Sequence, residues 1–135
     1  GRAIDYRDWQ VPLGRRFRAL KLWFTIRLDG VESIRERIRR DVGLTQELAT
    51  WVTADDRFEV VAPHPLNLLC VRVASGNDAP DELIDAVNRA GRSHVTRTVL
   101  DGRTALRVSI GARTTERRHV ESLWEELGRL VAPSD

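Results

Sequence analysis

Apolar residues recur along the chain at two spacings, and the change from one to the other divides it. Residues 1–14, GRAIDYRDWQVPLG, keep no sustained period and contain Pro12 and Gly14, so they read as an irregular leader. From Arg15 to Leu28, RRFRALKLWFTIRL puts Phe17, Leu20 and Phe24 at the i, i+3, i+7 positions of a helix. Leu22 and Trp23 widen its apolar arc to nearly all round, which predicts a mostly buried helix. Asp29-Gly30 closes it. A second helix is expected from Val31 to Ala54, with Ile34, Ile38, Leu48, Trp51 and Val52 on one side and arginines on the other. Gly43 stands where it could break or bend that helix. Residues 15–54 thus form a helical segment.

Beyond residue 54 the period shortens, and residues 55–135 read as a small α+β domain. Phe58, Val60 and Ala62 alternate with other residues, Pro63 and Pro65 bracket a turn, and LNLLCVRVA follows as a strand. Ser75-Gly76-Asn77-Asp78 is a loop. Pro80, with Asp81 and Glu82 in the first turn, opens a short helix through Leu83, Ile84 and Val87 to Gly91. Strands are expected over His94–Leu100 and Thr104–Ile110, joined by the hairpin dipeptide Asp101-Gly102. A last helix follows Thr114 as N-cap, with Val120, Leu123, Trp124, Leu127, Leu130 and Val131 along one face. The order, two helices and then β-β-α-β-β-α, predicts an α+β fold: long N-terminal helices followed by a small, mostly antiparallel sheet covered by helices.

Composition narrows the function classes. At 135 residues with 41% hydrophobic and 31% charged positions, the chain can bury a core without disulfide or metal. Cys70 is the single cysteine, and His64, His94 and His119 lack metal-ligand spacing, so no metal site is expected. No apolar run reaches the ~18 residues that span a bilayer, and no signal-peptide core is present. The expectation is a soluble, cytoplasmic protein. Lys21 is the only lysine among 22 basic residues, and 20 acids are interspersed with them, so no nucleic-acid groove is expected. The opening Gly1 reads as a cut point in a longer chain.

Catalytic machinery is sparse. There is no Gly-rich phosphate loop and no nucleophile elbow. Pro12-Leu13-Gly14-Arg15-Arg16 joins a tight backbone to two guanidinium groups at a helix start, which suits either an anion or an ordinary helix beginning. In TALRVSI, alternation puts Leu106, Val108 and Ile110 on one face, with Ala105, Arg107 and Ser109 on the other. Arg107, flanked by small residues, is shaped for bidentate carboxylate binding, or is simply a solvent-facing arginine. Lys21 sits on an amphipathic helix beside Arg18, where it reaches solvent rather than forming a Schiff base. Taken alone, the residues also fit a stand-alone α+β binding module.

The segments DYRDWQVPLGRRFRALKLWFTIR (residues 5–27), DDRFEVVAPHPLNLLCVRV (55–73) and LRVSIGARTTERRHVESLWEEL (106–127) closely resemble the group II pyridoxal-phosphate-dependent decarboxylases, best the aromatic-L-amino-acid branch. The resemblance covers nearly the whole chain in register. It implies the C-terminal part of a fold type I, homodimeric enzyme that converts an aromatic L-amino acid to its amine and CO2. In that family the Schiff-base lysine, in a His-Lys motif, and the mobile catalytic loop lie upstream of Gly1. Residues 1–14 would then link to a missing large domain, and the isolated chain would hold no pyridoxal phosphate and be inactive. By the same resemblance, Leu13 and Gly14 face the cofactor and substrate of the partner subunit. Histidine decarboxylases carry serine at the position of Gly14, and glycine leaves room for a larger ring. Arg7 helps place the mobile loop beside the substrate, and Arg107 is directed at a substrate carboxylate. Other group II decarboxylases, acting on glutamate, diaminobutyrate or histidine, are the alternatives within the family.

Overall fold

The computed structural model of the protein describes residues 17–74 and 80–131. The readings made for Arg7, Leu13 and Gly14 lie outside the described residues. Two compact units divide between Arg35 and Glu36.

In the first unit, α1 (Arg18–Asp29) begins after Phe17, which the expected helix had included and which is instead the N-cap, and ends one residue beyond the expected Leu28. It stops because Gly30 adopts a positive φ of 76° and its N–H turns back to the Ile26 carbonyl at 2.9 Å. Arg27 lies in the last turn, where the helix dipole favours a cation, and its guanidinium also sits 5.9 Å from the Trp23 ring. The expected burial of this helix is not found. Leu22, Trp23, Phe24 and Leu28 are all exposed, Leu28 at 79%. An apolar arc that runs nearly all round a helix shows that it needs a cover; the described residues of its own unit do not supply one.

The helix α2 (Val31–Thr53) runs unbroken through Gly43 and ends within one residue of the expected boundary. A Cβ at Gly43 would meet nothing within 4 Å, so close packing does not require a glycine there. The buried stripe is Leu44, Leu48, Ala49 and Val52, spaced by four, one and three residues along one face. Ile38, expected on that face, is exposed.

The second unit adds β1 (Phe58–Val60), β2 (Leu68–Val73), α3 (Pro80–Ala90), β3 (Thr96–Leu100), β4 (Arg103–Ser109) and α4 (Arg117–Leu130). The sheet is antiparallel throughout, in the order β1-β2-β4-β3. The β3–β4 hairpin turns on Asp101 and Gly102, at φ 53° and 74°, the left-handed pair that a two-residue primed turn requires. β3 begins two residues later than His94. The Asn88 side chain takes the Val95 backbone first, accepting from its N–H at 2.8 Å and donating to its carbonyl at 3.0 Å.

Register fixes what each face carries. Leu69 pairs with Val108 and Val71 with Leu106, so one face gathers Phe58, Leu69, Val71, Leu106 and Val108. Against it the helices bring Leu48 and Val52, Ile84 and Val87, and Val120, Leu123 and Leu127, all buried in one core. Thr114 is not the cap of α4. The N-cap is Glu116, whose backbone N–H donates to Nδ1 of His119 at 3.0 Å.

Arg57 closes the far end of α4. Its Nη1 donates to the carbonyls of Gly128 at 2.9 Å and Val131 at 2.8 Å, groups that the helix leaves unpaired. The Asp55 carboxylate holds the guanidinium in place, 2.9 Å from Nε and 2.6 Å from Nη2. The Arg57 hydrogen bonds hold the Asp55 carboxyl below the ordinary aspartate range, and Asp55 in turn raises Arg57. A depressed carboxyl pKa stabilises the fold above the unfolded value of about 4, and that stability is lost as pH falls through the folded value. Asp55→Asn therefore lowers the unfolding midpoint at pH 7, and the gap to the parent closes below roughly pH 4. Thermal unfolding of both proteins across that range checks this; a gap that persists undiminished at low pH would contradict it.

Candidate functional site

The sheet face turned away from the core carries the polar chemistry. In LLCVRV, alternation sends Leu69, Val71 and Val73 to the core and leaves Leu68, Cys70 and Arg72 opposite. β4 places Arg107 and Ser109 on this same face, with Arg107 between Cys70 on one neighbouring strand and Thr96 on the other. The two flanking side chains are short, and Arg107 and Ser109 are exposed. Cys70 is a buried free thiol.

Two of the arginines on this face are used differently. Arg72 is mostly buried and spent on the fold: Nη2 donates to the Leu100 carbonyl at 3.1 Å, Nε to the Thr104 carbonyl at 3.3 Å, and Nη1 pairs with Glu59 at 3.3 Å. From β2 it thereby ties the other three strands to its own. Arg107 makes no such contact among the described residues, so its guanidinium fork is available to a carboxylate. Sequence reasoning identified Arg107 and passed over Arg72, although the same alternation places both on one face. Arg107 is the one expected site residue the structure describes; it shows no geometry between Arg107 and Arg7, Leu13 or Gly14.

The comparisons with known proteins agree with the quoted segments. The family model described as the pyridoxal-dependent decarboxylase conserved domain matches residues 1–74, more than half of the chain. The chain belongs to this family.

Tryptophan decarboxylase 2 of Oryza sativa subsp. japonica is 40% identical over 131 residues, covering 92% of this chain and 26% of the relative. Phenylacetaldehyde synthase of Arabidopsis thaliana is 42% identical over 129 residues, covering 90% of this chain and 26% of the relative. Among solved structures, the Oryza sativa enzyme TDC with PLP and tryptamine superposes with a TM-score of 0.79 at 38% identity, covering 94% of this chain and 29% of that one. The chain therefore spans about a quarter of the length of the curated relatives it matches. The α+β fold is that of the family's solved structures.

Pyridoxal phosphate is the family's cofactor, and the described residues do not by themselves fit it. A Schiff-base lysine must shed its proton, which burial or a neighbouring cation promotes. Lys21, the only lysine, is exposed on α1. Its backbone carbonyl accepts from the Thr25 hydroxyl at 2.9 Å, and it lines none of the three cavities formed around residues 92–95, 46–54 and 58–73. No step of chemistry at the cofactor can be assigned to this side chain.

The contrast between the two arginines is testable by stability alone. Arg107→Ala leaves the unfolding free energy within about 0.5 kcal/mol of the parent, because an exposed, uncommitted side chain is removed. Arg72→Ala costs about 1–3 kcal/mol, because two strand carbonyls lose a charged donor. Denaturant titration of both variants reads the difference directly, and equal losses would mean that Arg107 is also structural.

Proposed function

We propose that this chain is the C-terminal portion of a pyridoxal-phosphate-dependent decarboxylase that converts an aromatic L-amino acid into its amine and CO2. The observation that carries the reading is identity near 40% across nine-tenths of the chain to proteins named as tryptophan and tyrosine decarboxylases. One solved relative, the Catharanthus roseus tryptophan decarboxylase, is in complex with L-tryptophan and is 35% identical with a TM-score of 0.78. When bound, the cofactor supplies an electron sink for the pair left behind as carbon dioxide departs. The lysine that holds it lies outside these 135 residues.

The role of this chain is to shape and orient. Arg107 offers a forked donor to the substrate carboxylate from a sheet face kept open by Ser109 and Thr96. Gly14, with Leu13, faces the cofactor and a large aromatic ring across the subunit boundary of a homodimer, and Arg7 helps position the mobile loop. The exposed Trp23, Phe24 and Leu28 support a larger assembly in which α1 is covered; a cytoplasmic location is part of this proposal. A second reading is favoured by the phenylacetaldehyde synthase likeness at 42% identity: the same substrate class carried on to an aldehyde. Product analysis separates them: amine and CO2 for the first; aldehyde, CO2, ammonia and hydrogen peroxide for the second, which consumes dioxygen as its two-electron oxidant.

Borohydride reduction of the cofactor-loaded full-length protein, followed by peptide mapping, is expected to leave a pyridoxyl label on a lysine outside this chain. A label on Lys21, or a native protein of only about 15.4 kDa that takes none, would overturn the reading. Substrate shape is tested at residue 14. Gly14→Ser is expected to shift relative kcat/KM from aromatic substrates toward histidine by roughly tenfold, since small pocket changes are worth about that much. Unchanged ratios would remove Gly14 from substrate selection.

A further inference from the structure

A cavity of about 360 Å³ opens on the second unit where the segment after α3 meets the first turns of α4. Its size lies at the small end of ligand sites. Three nitrogen-bearing side chains line it, Arg92, His94 and His119, with the hydroxyls of Ser93 and Thr115. Among the described residues, no aspartate or glutamate lines it. Beneath them lie Val95, Val108 and Leu123, which belong to the core.

Both walls are held before any ligand arrives. On one side, Gly91 turns the chain at a φ of 74°, and the paired hydrogen bonds between the Asn88 side chain and the Val95 backbone close the loop that carries Arg92, Ser93 and His94. On the other side, Nδ1 of His119 accepts the Glu116 N–H at 3.0 Å. A ring nitrogen that accepts carries no proton, so the neutral imidazole has its hydrogen on Nε2 and offers a donor there. That protonation also disfavours His119 as a metal ligand through Nε2, which would need a free lone pair. The nearby Glu116 carboxylate is engaged by Arg118 at 3.2 Å.

We propose that this cavity binds a small organic carboxylate with an apolar body. The carboxylate is received by Arg92, His94 and His119, and the body lies over Val95, Val108 and Leu123. A lining with cationic and neutral donors and no acid selects for negative charge. Walls held by hydrogen bonds reduce the ordering cost of binding.

The test uses phenylacetate as probe and the histidine Hε1 resonances of the full chain at pH 7. The chain has three histidines, and His64, which does not line this cavity, is the internal reference. Saturable shifts of His94 and His119 with His64 unmoved are expected. Phenylacetamide, the uncharged analogue, and inorganic phosphate, an anion without an apolar body, should each bind at least roughly tenfold more weakly. Arg92→Gln, an exposed substitution that leaves the core intact, should weaken phenylacetate by roughly tenfold. Absence of saturable shifts, uniform shifts of all three histidines, or phosphate or phenylacetamide equal to phenylacetate would overturn the proposal.

Discussion

A four-stranded antiparallel sheet covered by helices on one face decides most of what this chain can do. Side chains alternate across each strand, so every residue committed to the core fixes its neighbour on the opposite face. Leu106 and Val108 enter the core beside Val71 and Leu69, and Arg107 between them must face the other way. The accessible arginine is therefore a consequence of register. A slip of one residue would bury the guanidinium and expose two apolar side chains, so the core protects the geometry of the open face.

Two arginines secure that arrangement from the edges. Arg72 joins strand carbonyls across the sheet, and Arg57 joins the start of β1 to the last carbonyls of α4. Both use the planar fork of the guanidinium, which satisfies several acceptors from one rigid group. Lysine in either place would keep the charge and lose that simultaneous geometry. The strong preference for arginine in this sequence thus has a structural use at these two sites, whatever its origin elsewhere.

Local signals were legible from sequence and distant ones were not. The hairpin at Asp101-Gly102, the limits of α2 and the alternation around Arg107 all depend on residues adjacent in the chain, and each appears as expected. The cap of α4 was misplaced by two residues because Thr114 is the commoner cap type, while Glu116 works through a reciprocal contact with His119. Arg57 reaches acceptors more than seventy residues away, and those acceptors are backbone carbonyls without side-chain identity. No sequence pattern announces such a partner. The exposure of α1 was missed for a related reason: apolar density reports a need for cover, and the cover need not lie among the residues at hand. Of the site, Arg107 could be read from alternation, whereas the roles of Arg7, Leu13 and Gly14 came only from resemblance.

The solitary lysine has a practical consequence. With Lys21 exposed on α1 and every other basic residue an arginine, an amine-directed reagent finds one side-chain target in this chain, together with the terminal amine. A fluorophore attached there stands on the helix of exposed Trp23, Phe24 and Leu28. With the terminal amine blocked first, its emission would report whether that apolar surface faces water or has been covered, turning an accident of composition into a sensor of assembly.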